Sequence, residues 1–170
     1  MTEARDEAEE AVSDAEETVK TLKETLGARY GPDDAYFPLK GQCFTLDTRD
    51  YQYELCPFRT AKQKPSGGGG VGTSLGTWEA EKSWEQPGEW NFRNGQSCWQ
   101  GPKRSAAVRL RCGPDHQLLD VDEPSKCTYT FVLETPAACD DDTVADERAR
   151  LFAEVGVGGG QERGAGHTEL

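Results

Sequence analysis

Cys43-Phe-Thr-Leu-Asp-Thr-Arg-Asp-Tyr-Gln-Tyr-Glu-Leu-Cys56 is the stretch from which the fold is read. Phe-Thr-Leu and Tyr-Gln-Tyr-Glu-Leu are runs of aromatic and β-branched residues, which suit a pleated, half-buried surface. Asp47 to Asp50 between them carry turn chemistry. The expected element is a β-hairpin whose two arms are tied by Cys43 and Cys56.

Further along, Ala106-Ala-Val-Arg-Leu-Arg-Cys112 reads as a strand, and Cys127-Thr-Tyr-Thr-Phe-Val-Leu133 alternates well enough to be another. Pro65-Ser-Gly-Gly-Gly-Gly-Val-Gly72 is a flexible loop, followed by Trp78, Trp84 and Trp90 in a polar stretch. Short strands separated by turn signals predict an all-β barrel or sandwich.

Cysteine and charge delimit this block. All six cysteines (Cys43, Cys56, Cys98, Cys112, Cys127, Cys139) lie within it, and an even count over this span predicts disulfides. Zinc needs close pairs such as C-x-x-C, whereas the shortest gaps here hold eleven and twelve residues, and only His116 and His167 offer imidazoles. No metal and no cofactor is therefore expected. Residues 1–26 carry nine acids and three bases, and residues 140–170 carry eight and three, which leaves 14 acids and 13 bases in residues 27–139. The net charge of −12 is thus mostly a property of the flanks. It opposes nucleic acid or an anionic membrane as partner, because both would be repelled.

The flanks have their own patterns. In residues 3–26, Ala4, Ala8, Ala11, Ala15, Val19, Leu22 and Leu26 recur at spacings of three and four, and Gly27 supplies a stop, so one helix is predicted. Its narrow, alanine-rich seam suits a coiled coil or a solvated acidic helix. After Cys139, Asp140 to Asp142 precede Val144, Arg148, Leu151 and Val155, a pattern for a short helix with acids at its N-terminus. A glycine-rich tether then leads to His167-Thr168-Glu169-Leu170, close to the K-D-E-L and H-D-E-L retrieval signals of the endoplasmic reticulum. Disulfides also require an oxidising compartment. No apolar run approaches the roughly 20 residues that span a membrane, and Met1 to Glu10 is acidic where a signal peptide is basic and then apolar. The expectation is the C-terminal part of a longer secretory protein located in the lumen of the endoplasmic reticulum. Its organisation would be a helix at 1–27, a disulfide-bonded domain at 28–139 and an acidic tail at 140–170.

Two stretches carry candidate chemistry: Gly95-Gln-Ser-Cys-Trp-Gln-Gly-Pro-Lys-Arg104 and Glu123-Pro-Ser-Lys-Cys-Thr-Tyr129. They put an aromatic, a guanidinium, a carboxylate and a phenol near the expected disulfides. Such a set binds a neutral sugar, whose hydroxyls each donate and accept: Arg donates, Glu accepts, and Gln or Tyr does both. An aromatic wall covers the apolar C–H face of the ring.

These motifs also carry a resemblance. The stretch from Tyr30-Gly-Pro32 to Cys139 resembles the mannose 6-phosphate receptor homology (MRH) lectin family, in the form found in glucosidase II β subunits. The matching segments are Leu39-Lys-Gly-Gln-Cys-Phe44, Tyr53-Glu-Leu-Cys-Pro-Phe58, Gln63-Lys-Pro65, Leu75-Gly-Thr-Trp78, Cys98-Trp-Gln-Gly-Pro102 and Thr135-Pro-Ala-Ala-Cys139. The resemblance implies a flattened β-barrel of two antiparallel sheets and the pairings Cys43–Cys56, Cys98–Cys127 and Cys112–Cys139. It implies a mannose-binding set of Arg104, Glu123, Tyr129 and Gln63, with Gln52 as the alternative glutamine and Trp99 beside the sugar.

The implied function is a non-catalytic lectin domain that binds mannose on high-mannose N-glycans and presents glycoproteins to a catalytic α subunit during glycan trimming and quality control. Glycoside hydrolysis needs two carboxylates facing each other across a cleft. Most acids here lie in the flanks, and Glu123 is already assigned to binding, so no enzyme is expected. Two other readings stand beside this one. The first is a lectin of the same fold that selects misfolded glycoproteins for degradation, although such lectins tend to carry a Trp-Trp pair and none occurs here. The second is an assembly module without a working sugar site. In the family, calcium-binding modules and the main α-subunit contact lie upstream of the part present here.

Overall fold

Residues 2–140 except 68, 69 and 87, together with 142, 144, 145 and 150, are described by the computed structural model. The chain divides into two compact units, residues 1–38 and 39–170. The tail motif at 167–170 and most of the helix expected after Cys139 lie outside the described residues; 142, 144, 145 and 150 are helical.

In the first unit, α1 runs Thr2–Gly27. Alanine and glutamate have high helix propensity, and Arg5 adds an i,i+4 ion pair to Glu9 at 3.5 Å. The apolar stripe stands in solvent, with Val12, Val19, Leu22 and Leu26 all exposed. Beyond Gly27 the chain turns through a short 3-10 segment, Pro32–Asp34. Here the Tyr36 ring packs on Gly31, where any Cβ would sit 2.3 Å from its Cδ2, and Tyr30 meets Phe37 edge-on at 5.2 Å. Gly31 has φ of 96°, so both its conformation and its lack of a side chain are required.

The second unit is one sheet of eight strands: β1 (Phe44–Asp47), β2 (Tyr51–Cys56), β3 (Thr60–Pro65), β4 (Thr73–Trp78), β5 (Glu89–Asn94), β6 (Ser105–Arg111), β7 (Gln117–Ser125) and β8 (Thr128–Glu134). A four-residue helix, α2 (Ala80–Ser83), lies between β4 and β5. The sheet order is β1-β2-β3-β4-β5-β6-β8-β7. Strands β1 to β6 form an antiparallel meander, β8 then inserts parallel to β6, and β7 pairs antiparallel with β8 on its far side. Edge strands β1 and β7 come together, and Phe44 lies 6.4 Å from the His116 ring just before β7, so the sheet curls into a nearly closed barrel. Near-closure removes most of the exposed sheet edge. The all-β barrel expected from the sequence is therefore present. Its hydrogen bonding is continuous through one sheet, and β6–β8 is a parallel pair, where two antiparallel sheets were expected.

The expected hairpin is β1–β2, with Phe44 opposite Leu55 and Asp47 opposite Gln52. All three expected disulfides are formed: Cys43–Cys56, Cys98–Cys127 and Cys112–Cys139. The core is built from inward positions of alternating strands: Leu55, Ala61, Leu75, Trp90, Phe92, Val108, Phe131 and Leu133, each at most 1% exposed. One end is filled by rings around Trp78, which has Phe58 at 5.0 Å and Trp84, Trp90 and Phe92 each at 5.6 Å. Edge-to-face contacts of this kind add about 0.5–1.5 kcal/mol each to ordinary burial.

Candidate functional site

The inward row of β8 is Tyr129, Phe131, Leu133, and the inward row of β3 is Ala61 followed by Gln63. Toward one end of the barrel these rows change from hydrocarbon to polar residues, and there the wall opens into a cleft of about 320 Å³. Gln63, Trp99, Arg104, Glu123 and Tyr129 all line it, so all five residues singled out from the sequence come together. Tyr51, Tyr53, Lys126 and the 98–127 disulfide complete the wall.

Each side chain is delivered by a specific local feature. Gln63 pairs across the sheet with Tyr53, which puts both on the same face. Its rival, Gln52, is one residue out of phase and donates from Nε2 to Asp47 Oδ1 at 2.9 Å, away from the cleft. Glu123 sits in a β-bulge. Asp122 pairs with Thr130 and Ser125 with Thr128, so Glu123 and Pro124 together oppose Tyr129 alone. A bulge re-aims the extra side chain and also tolerates a proline that has no N–H to give to the ladder. Glu123 Oε1 in turn accepts a hydrogen bond from the Cys127 N–H at 2.6 Å, which fixes the carboxylate at the β7–β8 turn.

Arg104 closes the loop between β5 and β6. That loop is zipped at its base, with Gly95 N–H donating to Arg104 O at 2.9 Å and Arg104 N–H donating to Gln96 O at 3.1 Å. Gly95 permits this, because a Cβ there would come 2.6 Å from the Leu75 carbonyl carbon and 2.8 Å from Arg104 O. The guanidinium is anchored by Nη1, which donates to Gln96 O and Ser97 O at 3.3 and 3.0 Å. The Cys98–Cys127 bridge then ties this loop to the β7–β8 turn, joining the Arg104 side of the cleft to the Glu123 side.

Two polar atoms of cleft-lining residues are anomalous. Gln63 Oε1 and Arg104 Nε are buried and have no hydrogen-bond partner. Buried polar groups are nearly always satisfied, and each exception costs about 1–3 kcal/mol. One is an acceptor and the other a donor, so a ligand that satisfies both must donate and accept, as a hydroxyl does. The Tyr129 and Tyr53 phenols keep their protons at neutral pH. Burial pushes the Tyr129 hydroxyl above the ordinary tyrosine value, opposed by the neighbouring Arg104 guanidinium and reinforced by the Glu123 charge. Tyr53 is raised by burial and then by Tyr129 and Glu123. Its ring lies 6.4 Å from Tyr129 and 6.1 Å from Tyr51, so three phenols lead from the core to the rim. Among the described residues no group of three or more His, Cys, Asp or Glu is placed to hold a metal.

Tyr51, Tyr53 and Lys126 were not singled out from the sequence. The signal for the two tyrosines was their i,i+2 spacing in β2, but it points to a site only once β3 is known to lie beside them. Lys126 is marked only by its place next to Cys127.

Over residues 1–153 the chain matches the family described as glucosidase II beta subunit-like protein. It is 38% identical over 148 residues to the glucosidase 2 subunit beta of Oryza sativa subsp. indica, covering 87% of this chain and 23% of that protein. The Homo sapiens glucosidase 2 subunit beta is 45% identical over 115 residues, covering 65% of this chain and 21% of that protein. The chain thus spans less than a quarter of the length of these curated relatives. Among solved structures, the MRH domain of glucosidase II beta bound to mannose aligns with a TM-score of 0.51 at 30% identity, covering 62% of this chain and all of that one. The MRH domain of Yos9 complexed with α3,α6-Man5 aligns with a TM-score of 0.55 at 18% identity, a likeness of fold, over 76% of this chain and 94% of that one. With nine-tenths of its length matched and its barrel shared with an MRH domain of the same subunit, this chain belongs to the glucosidase II β subunit family.

Proposed function

We propose that the chain is a non-catalytic lectin module that binds mannose through Gln63, Arg104, Glu123 and Tyr129, with Trp99 at the mouth of the cleft. The observation that carries this reading is the pair of buried, unpartnered polar atoms, Gln63 Oε1 and Arg104 Nε, on two residues that line one cleft. In this reading sugar hydroxyls donate to the first and accept from the second, and Glu123 and Tyr129 engage neighbouring hydroxyls. Arg104 and Lys126 against Glu123 leave the cleft with one net positive charge, and the rest of its lining is uncharged. The mannose-bound MRH domain of glucosidase II beta supports the same ligand class.

In the full-length subunit, the module spanning 28–139 recognises high-mannose N-glycans and presents glycoproteins to the glucosidase II α subunit, which carries out the trimming. The expected site of action is the lumen of the endoplasmic reticulum, where disulfides persist and where the tail at His167–Leu170 returns the protein. Glycan-array binding of the unmutated chain, Arg104→Ala and Glu123→Ala tests the lectin function. Mannose-dependent signal lost in both variants is expected; a folded, unmutated chain without mannose preference sinks the reading. The chain alone is expected to show no glucosidase turnover.

A further inference from the structure

The 98–127 disulfide brings together two residues that lie beside it in the sequence. Trp99 follows Cys98 and Lys126 precedes Cys127, and across the bridge Lys126 Nζ lies 5.4 Å from the centroid of the Trp99 ring. The same ammonium donates to the Gln100 carbonyl oxygen at 3.4 Å. Within the described part of the second unit the exposed aromatic residues are Tyr51 and Trp99, at 39% and 78%, and both stand on the rim of the cleft. The backbone under Trp99 is a tight turn. Gln100 is left-handed with φ of 50°, Gly101 N–H donates to Cys98 O at 3.3 Å, and a Cβ at Gly101 would sit 2.9 Å from Cys98 Sγ. The turn restrains the Trp99 backbone, whereas its indole projects into solvent, and Lys126 supplies the charged contact over the ring.

We propose that Lys126 is a positioning residue for glycan recognition: it holds the Trp99 indole at the mouth of the cleft, with one ring face under the ammonium and the other free for the C–H face of a sugar. The inference rests on the lectin reading above. An ammonium over an indole is attracted by the ring quadrupole. It also removes rotamer freedom from Trp99 before the ligand arrives, which lowers the ordering cost of binding. Lys126→Met keeps the aliphatic stem without the charge, and Lys126→Arg keeps the cation.

The test is a double-mutant cycle with Trp99→Ala, read by titration with a free high-mannose oligosaccharide and by the Trp99 indole N–H resonance of the sugar-free protein. Lys126→Met is expected to shift that resonance and weaken binding about two- to fivefold. It should cause no further loss in the Trp99→Ala background, and Lys126→Arg should bind within about twofold of the unmutated chain. A loss that is undiminished without Trp99, or an unmoved indole resonance, overturns the inference while leaving the lectin reading intact. Absence of mannose binding by the unmutated chain overturns both.

Discussion

Gln63→Leu makes two properties move in opposite directions. In the sugar-free protein, Gln63 Oε1 is buried without a partner, a penalty of about 1–3 kcal/mol. Leucine is of similar size, fits the inward side of β3 beside buried Ala61, and has no carbonyl to desolvate. Allowing about 1 kcal/mol for altered packing, the variant should be no less stable than the parent and up to about 2 kcal/mol more stable. With roughly 100 ordered residues, each kcal/mol corresponds to about 4–8 °C in Tm. Binding should move the other way. The sugar hydroxyl that donates to Oε1 would face a methyl group, losing its hydrogen bond and its water together, which is worth about 1–3 kcal/mol or roughly a five- to 150-fold rise in Kd. Urea denaturation and calorimetric titration with methyl α-mannoside measure the two sides on the same preparation. A variant that is destabilised by more than about 1 kcal/mol yet binds mannose normally would refute the reasoning, because Gln63 would then be a structural residue with an adequately satisfied carbonyl.

The disulfides separate stability from binding. Bridges closing loops of 29 and 27 residues restrict the unfolded chain almost equally, so replacing the pair Cys98 and Cys127 or the pair Cys112 and Cys139 with serine should cost about 3–4 kcal/mol in either case. Only loss of the first is expected to abolish mannose binding in conditions where both variants remain folded, since only that bridge lies in the cleft. Glu123→Gln keeps an acceptor for the Cys127 N–H but removes the charge that helps raise Tyr129. The Tyr129 phenol should therefore ionise at lower pH in an ultraviolet titration, and mannose affinity should fall about tenfold or more, the loss of one charged hydrogen bond. Far from the cleft, Glu134 is held below the usual glutamate pKa by hydrogen bonds from Arg111 and Gln117. A depressed native value favours folding above the unfolded value of about 4.3. That contribution is lost as pH falls through the lower native value. Urea midpoints should decline across that range in the parent and less steeply in Glu134→Gln.

Why some strands were legible and others not follows from their surroundings. β1, β2, β6 and β8 carry runs of aromatic, aliphatic or β-branched residues, and each can be recognised locally. β3, Thr60–Pro65, is mostly polar and its inward row ends in the cleft, so the feature that puts Gln63 there hides it as a strand. β4 is interrupted by Gly76, required where a Cβ would come 2.7 Å from the Phe92 carbonyl carbon. β5 does alternate, with Trp90 and Phe92 inward against polar Glu89, Asn91 and Arg93, a local strand signal carried by few residues within a polar stretch. β7 is acidic and contains Pro124, acceptable only at an edge or a bulge.

The sequence by itself determined the stapled β domain, its near-neutral charge between acidic flanks, and the residue types a neutral sugar requires. These are properties of composition, alternation and cysteine count, and they need no knowledge of what lies beside what. The choice of Gln63 over Gln52 as the cleft residue belonged to the tertiary structure, because strand phase relative to a neighbouring strand decides which face a side chain takes. So did the bulge that turns Glu123 toward Tyr129, the curling of the sheet that brings β3 and β8 to one opening, and the seating of Lys126 over Trp99. Each depends on register between segments far apart in the chain, and register is set by the packing of the whole barrel.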